Sequence, residues 1–198
     1  KGYMIMISRT YGWVQNPSDF QKLKRVVQIF DSNSSHYKNL KQNIVPTHIY
    51  FEDIKQSLLA KLNANVEAFS YIELVGTSKD KNRKSAKKRK DAVADALIQV
   101  TILPQNYRTS GKCWSDNWTS DGFLRWALSL NLVNHDRETD ICTISALGKQ
   151  FSNSADDSDT EKNILQSALL CYPPATQVLS LLEDSQQALS KFAIGSEL

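Results

Sequence analysis

With 198 residues, 41% of them apolar, and a net charge of +3, the chain can bury a core of its own; this excludes wholesale disorder, and the charge alone singles out no partner. No apolar run approaches the roughly 20 residues that span a bilayer, and the stretch Lys1 to Ile7 is too short and poorly flanked for a secretory signal. Cys113, Cys142 and Cys171 are odd in number and widely spaced, which excludes a disulfide framework or a paired-cysteine metal site and suits buried thiols in a reducing cytoplasm.

Taken in chain order, Asn16-Pro17-Ser18-Asp19 reads as a helix start, with Asn16 as N-cap and Pro17 at the first helical position. Phe20, Leu23, Val26, Val27 and Phe30 form its core-facing stripe, which ends near Asp31. Ser32 to Ser35 read as a loop, and a weaker segment reaches Pro46. A second helix is predicted from Glu52 to Asn63, with Ile54, Leu58 and Leu62 inward. Ser70 to Gly76 looks like a short helix whose Ser70 and Glu73 have capping-box spacing. The run from Lys79 to Asp91 follows, with eight Lys/Arg and two Asp, a local +6 that leaves −3 for the rest. It has no apolar period and reads as an exposed basic loop. A helical pattern resumes through Val93, Leu97 and Val100, and a polar stretch from Pro104 leads to Cys113.

The stretch from Asp116 to Phe151 is the most informative. Phe123, Trp126, Ala127 and Leu130 recur at i, i+3, i+4, i+7, one face of an amphipathic helix. Thr119 or Ser120 can cap it, and Asn131 suits a left-handed terminal residue. Leu132 to His135 and Ile141 to Ser145 then read as two strands joined by the polar turn Asp136 to Asp140. Helix, hairpin and a further helical turn from Ala146 to Phe151 follow in the order of a winged helix-turn-helix. The fold class expected is therefore mainly α with a small β-hairpin: a winged helix-turn-helix subdomain over residues 8–151, then an acidic, Ser-rich connector over 152–160. Ser158 and Glu161 offer a capping box for a helix through Ile164, Leu165, Ala168 and Leu169. Tyr172-Pro173-Pro174 ends it, and Pro174 or Ala175 opens another. Residues 161–198 thus read as a linking helix and the start of a second helix-turn-helix subdomain, in a piece of a longer protein or a natural truncation.

Three separated blocks, RTYGWVQNPSDFQKLKRVVQIFD, DNWTSDGFLRWALSL and CYPPATQVLSLLED, give the chain a resemblance, from about Arg9 to Leu198, to the N-terminal DNA-recognition region of FokI-like type IIS restriction endonucleases. The resemblance implies a module that recognises a short asymmetric duplex DNA site, GGATG-like in kind, as a monomer in the bacterial cytoplasm. Such enzymes cut through a separate domain whose paired acidic residues and Lys hold Mg2+. No Pro-Asp followed by Asp/Glu-x-Lys occurs here, so no catalytic residue carries over. His36, His48 and His135 show no metal-ligand spacing.

Base reading needs planar, bidentate groups. Gln15 and Asn16 have that chemistry and fall within the GWVQN block, whose arm contacts bases in the family; Asn16 competes with its own capping role. The resemblance also nominates Gln105 in ILPQN, Trp118 in DNWTSDG, and Arg89, with Arg83 as the alternative, for a base-reading arginine. The bland reading of Trp118 is core packing, which for Trp126 is the better one. Lys84, Lys87, Lys88 and Lys90 supply phosphate-neutralising charge. Ser120 reads as a phosphate contact at the helix start, Asp121 as an acceptor from cytosine, and Arg125 as a partner of phosphate or of an internal acid. A stand-alone winged-helix regulator and a protein-interaction module remain the alternatives.

Overall fold

The computed structural model describes residues 19–44, 52–71, 74, 97–98, 101, 117–185, 187–190 and 192–194. Its elements are α1 (Phe20–Gln28), α2 (Ser35–Asn39) continued by a π-helical turn (Leu40–Ile44), α3 (Glu52–Asn63), β1 (Phe69–Ser70), α4 (Asn117–Ser129), β2 (Val133–Asp136), β3 (Ile141–Ile144), α5 (Ala146–Asn153), α6 (Asp159–Leu170) and α7 (Pro173–Asp184). The fold is mostly helical with one small antiparallel sheet. Two compact units divide between Asn153 and Ser154.

Several boundaries differ from the sequence reading, each for a local reason. Asp19, not Asn16, caps α1: its Oδ1 accepts from the Lys22 N–H at 3.0 Å. The loop after Asp31 is shorter than expected, because Ser34 caps α2 through its hydroxyl, which accepts from Tyr37 N at 3.1 Å. Ser70 belongs to a strand, and the expected helix is described directly after it, at Tyr71 and Leu74. Phe69 pairs with Cys142 and Ser70 with Ile141, which turns the expected hairpin into a three-stranded sheet ordered β1-β3-β2. Two residues of strand were too few to show an alternating pattern.

In the first unit the core gathers Leu23, Val26 and Val27 of α1, Phe30 in the turn after it, Leu58 and Leu62 of α3, Phe69, Trp126, Ala127, Leu130 and Phe151, all 1% exposed or less. Phe30 meets Phe69 edge-on at 5.7 Å. Phe20, expected inside, lies at the rim at 37% exposure, and its ring still packs on Trp126 at 5.3 Å. Asn65 ends α3 with φ 53, so that Asn65 N–H reaches Leu62 O and Val66 N–H reaches Lys61 O. That pair of bonds is a Schellman cap built on Asn where Gly is commoner. Cys142 is buried, and burial pushes its thiol up to about 12. Cys171 is exposed, contrary to the expectation of buried thiols; it sits where α6 gives way to α7. Cys113 lies outside the described residues.

Buried polar groups tie these helices together. Asp31 is fully buried and takes Lys149 Nζ at 2.9 Å and Ser152 Oγ at 2.7 Å. Gln28 Nε2 donates to Ser152 O at 2.9 Å. His36 Nε2 lies 3.0 Å from Thr101 Oγ1, and that hydroxyl donates to Leu97 O at 2.9 Å. Since the one hydroxyl proton is committed to Leu97, the imidazole must be the donor, which selects the Nε2–H tautomer. Burial, then the nearby Arg25 charge, lowers the His36 pKa to about 4.

A folded pKa below the unfolded 6.5 means that the unfolded chain takes up a proton first. The stabilisation is complete above pH 6.5 and is lost as pH falls towards 4. Urea midpoints should therefore give a wild-type stability about 2 kcal/mol lower at pH 4.5 than at pH 7. His36→Gln should remove most of that difference.

In the second unit Ser158 caps α6, its hydroxyl accepting from Glu161 N at 3.1 Å, while Glu161 Oε2 accepts from Asp157 N at 2.6 Å. This reciprocal arrangement follows the predicted capping-box spacing. α7 starts at Pro173 with Tyr172 as N-cap, as a helix with proline in its first turn should. Its apolar residues are not fully buried: Leu179 and Leu182 are 42% and 45% exposed.

Candidate nucleic-acid interface

Helix α4 carries the residues around which the first unit is arranged. Gly122, Phe123, Leu124, Trp126, Ala127 and Leu130 are buried, whereas Arg125, Leu128 and Ser129 are half-buried. Arg125, Leu128 and Ser129 thus mark the side of the helix that the core leaves open. The helix begins at Asn117, so Thr119 and Ser120 occupy its first turn and do not cap it. Seven residues separate 118 from 125, roughly 10 Å along the axis. Trp126 is fully buried, between Phe20 and Phe123.

The C-terminal end of α4 is locked. Asn131 has φ 55; its N–H donates to Leu128 O at 3.1 Å, and Leu132 N–H donates to Ala127 O at 2.9 Å. This Schellman cap reverses the chain into β2. Ser145 Oγ then donates to Asn131 O at 2.6 Å and accepts from Gly148 N at 2.9 Å, so one hydroxyl joins the end of α4 to the start of α5. Ser145 N–H also donates to Leu132 O at 3.1 Å. Gly148 lies directly against that carbonyl, with no room for a methyl group. The C-terminal end is thus committed to the hairpin base.

The hairpin pairs Val133 with Ile144 and Asp136 with Ile141, which leaves a four-residue turn, Arg137 to Asp140. Asp136 builds the turn: it accepts from Glu138 N at 2.9 Å and Thr139 Oγ1 at 2.6 Å, and those bonds hold its carboxyl below the usual range. Asp140, with φ 60, receives Ser70 Oγ at 2.5 Å and lies 3.0 Å from His135 Nε2. Tyr71 stacks on His135 at 4.8 Å, and its N–H donates to Asp140 O at 2.8 Å. Ser70 and His135 both address the carboxylate and not each other, so this is a structural brace and not a nucleophile with its base. Asp136, Arg137, Glu138 and Asp140 give the hairpin tip a net −2. A phosphate group is repelled there.

Of the residues nominated from sequence, Trp118, Ser120 and Arg125 lie on α4; Gln15, Asn16, Lys84, Lys87, Lys88, Arg89, Lys90 and Gln105 lie outside the described residues. The supporting residues Asp31, Asp140, Ser145 and Gly148 were not singled out. Ser145 and Gly148 had a signal, a Ser three residues before a Gly at the exit of a strand. Asp31 and Asp140 had none, because their partners are 121 and 70 residues away. Among the described residues no three His, Cys, Asp or Glu gather as a metal site, and no helix is long and apolar enough to cross a membrane.

The family model "FokI, recognition domain, subdomain 1" matches residues 9–154. The type II restriction enzyme FokI of Planomicrobium okeanokoites is 43% identical over 195 residues, which are 98% of this chain and 32% of that enzyme. The chain therefore spans about a third of the length of the relative it matches. Among solved structures, FokI covers 90% of this chain and 29% of its own with a TM-score of 0.70. FokI bound to DNA covers 90% and 30% with a TM-score of 0.71, both at 43% identity. With helix, hairpin and following helix in this order and the match spanning both strands and their supports, the chain belongs to the family of the FokI recognition domain, subdomain 1.

Proposed function

We propose that this chain is the duplex DNA-recognition module of a type IIS restriction endonuclease, reading a short asymmetric, GGATG-like site in the bacterial cytoplasm. The observation that carries the reading is the likeness, at 43% identity, to FokI bound to DNA. The open stripe of α4 agrees with it. In this reading α4, the hairpin and α5 are a winged helix-turn-helix. The N-terminal half of α4 enters the major groove, because its other end is committed to the hairpin base. Trp118 meets a base or a thymine methyl, and Gln15, Asn16, Gln105 and Arg89 add bidentate contacts. Lys84, Lys87, Lys88, Lys90, Ser120 and Arg125 hold the phosphates. Cleavage and its Mg2+ belong to a nuclease domain elsewhere in the parent enzyme. Residues 161–198 open a second recognition subdomain.

Selection from a random duplex pool tests this reading. A short asymmetric motif is expected, bound weakly by this chain alone; no enrichment, or a palindrome bound by a dimer, would overturn it. Replacing Lys84, Lys87, Lys88 and Lys90 by Ala should weaken all duplexes alike and flatten the dependence of log K on log salt by about 3 to 4. Trp118→Ala should instead cost about tenfold on the selected motif and little on random DNA.

A further inference from the structure

The end of α4 is tied to the rest of the first unit through a single side-chain proton. Resting on the DNA reading above, we propose that Ser145 is a positioning residue for duplex recognition, its hydroxyl fixing the angle at which α4 is presented. Three observations support the assignment. First, the hydroxyl is fully committed. Its oxygen accepts from Gly148 N at 2.9 Å, and Asn131 O can only accept, so the one proton goes to that carbonyl across 2.6 Å. Ser145 is 6% exposed, so little water competes for either bond.

Second, the far side of the tie is anchored. Ser145 opens α5, its carbonyl accepting from Lys149 N at 2.9 Å. Further along α5, Lys149 Nζ and Ser152 Oγ hold Asp31, and Ser152 O takes Gln28 Nε2 at 2.9 Å. The hydroxyl therefore fastens α4 to a frame made by α1 and the turn after it. Third, α4 rests on its supports through apolar side chains. Phe123, Leu124, Trp126, Ala127 and Leu130 are 3% exposed or less. Apolar burial has no preferred direction, so it fixes the depth of a helix more firmly than its tilt; a hydrogen bond is directional. The helix has 13 residues, Asn117–Ser129. A tilt of about 3° at its C-terminal end moves the other end by about 1 Å over roughly 20 Å of helix. That displacement is enough to lose direction-sensitive contacts to base edges.

The test compares stability with selectivity, the ratio of affinities for the selected duplex and for random DNA, in the cold where each variant is folded by circular dichroism. The Ser145 N–H bond to Leu132 O is backbone and survives every substitution, so the variants isolate the hydroxyl. Ser145→Ala removes both the helix cap and the tie. Ser145→Gly also removes the tie but is a tolerated cap, and so should stay closer to wild type in urea unfolding. Both should nevertheless lose about tenfold in selectivity, with random-duplex affinity within a factor of two. Ser145→Thr keeps the hydroxyl and should restore selectivity, which a loss through packing alone would not do. Selectivity that follows stability, with Ser145→Gly near wild type, overturns the proposal and leaves the DNA reading in place. So does an equal loss on random DNA, or a Ser145→Thr protein as unselective as Ser145→Ala. A wild-type chain that selects no duplex removes both readings.

Discussion

Gly148→Ala should lower the stability of the first unit by about 3 kcal/mol, an apparent melting temperature roughly 10 °C below wild type. A helical Gly→Ala change ordinarily helps by up to about 1 kcal/mol, since alanine loses less backbone entropy. Here the added carbon has nowhere to go. It would fall within bonding range of Leu132 O, 2.9 Å from the carbonyl carbon and 3.0 Å from Ile144 Cγ1. The first obstacle is backbone, and that oxygen already accepts from Ser145 N–H. It cannot swing aside as a side chain would; α5 or the hairpin base must shift. The same shift would pull Ser145 Oγ from Gly148 N and Asn131 O, and so release the end of α4. On the DNA reading proposed above, selectivity for duplex DNA should fall at temperatures where the variant remains folded. Gln150→Ala, exposed on the same helix, is the control and should stay within about 0.5 kcal/mol of wild type. A Gly148→Ala protein as stable as that control would mean that the close approach is not obligatory.

This contrast explains what the residues revealed beforehand and what they hid. Local periodic signals carried well: the stripe of α4, the two strands beside the polar turn, the left-handed Asn131 and the Ser158 cap all depend on neighbours within a few positions. Phe69-Ser70 did not, because so short a strand is defined by its partner β3, about 70 residues downstream. Nor did the capping of α1, where Asn16 and Asp19 are both chemically suitable and only the fold chooses. The acidic hairpin tip was visible as composition, but its meaning depended on seeing Asp136 and Asp140 spent on the turn and on Ser70 and His135. For the interface, motif likeness named residues that the described structure can place only on α4.

Asp31→Ala should cost about 2 to 4 kcal/mol in urea unfolding, comparable with the Gly148 change. The carboxylate has no exposure, and its oxygens serve Lys149 Nζ, Ser152 Oγ and Asn33 N. Burial alone would push its pKa up; hydrogen bonds from Lys149 and Ser152 and the lysine charge outweigh that and leave it below the ordinary 3.8. The Lys149 side chain is 43% exposed, so screening trims the ion-pair part and keeps the loss below that of a fully enclosed pair. Removal of the carboxylate strands the Ser152 hydroxyl, 4% exposed at residue level, and frees α5 from the turn after α1. Asp31→Asn is the informative companion. Its oxygen can keep Lys149 and Asn33, and its amide can donate to Ser152 once that hydroxyl rotates, so the loss should be nearer 1 kcal/mol. The two variants also separate charge from shape through pH. With a depressed folded pKa, the Asp31 contribution is whole above about pH 4 and disappears as pH falls through the lowered value. Wild type should therefore lose stability below pH 4 faster than Asp31→Asn, in a range distinct from the His36 transition at higher pH. Parallel acid limbs for the two proteins would show that Asp31 is held by packing, with its charge contributing nothing.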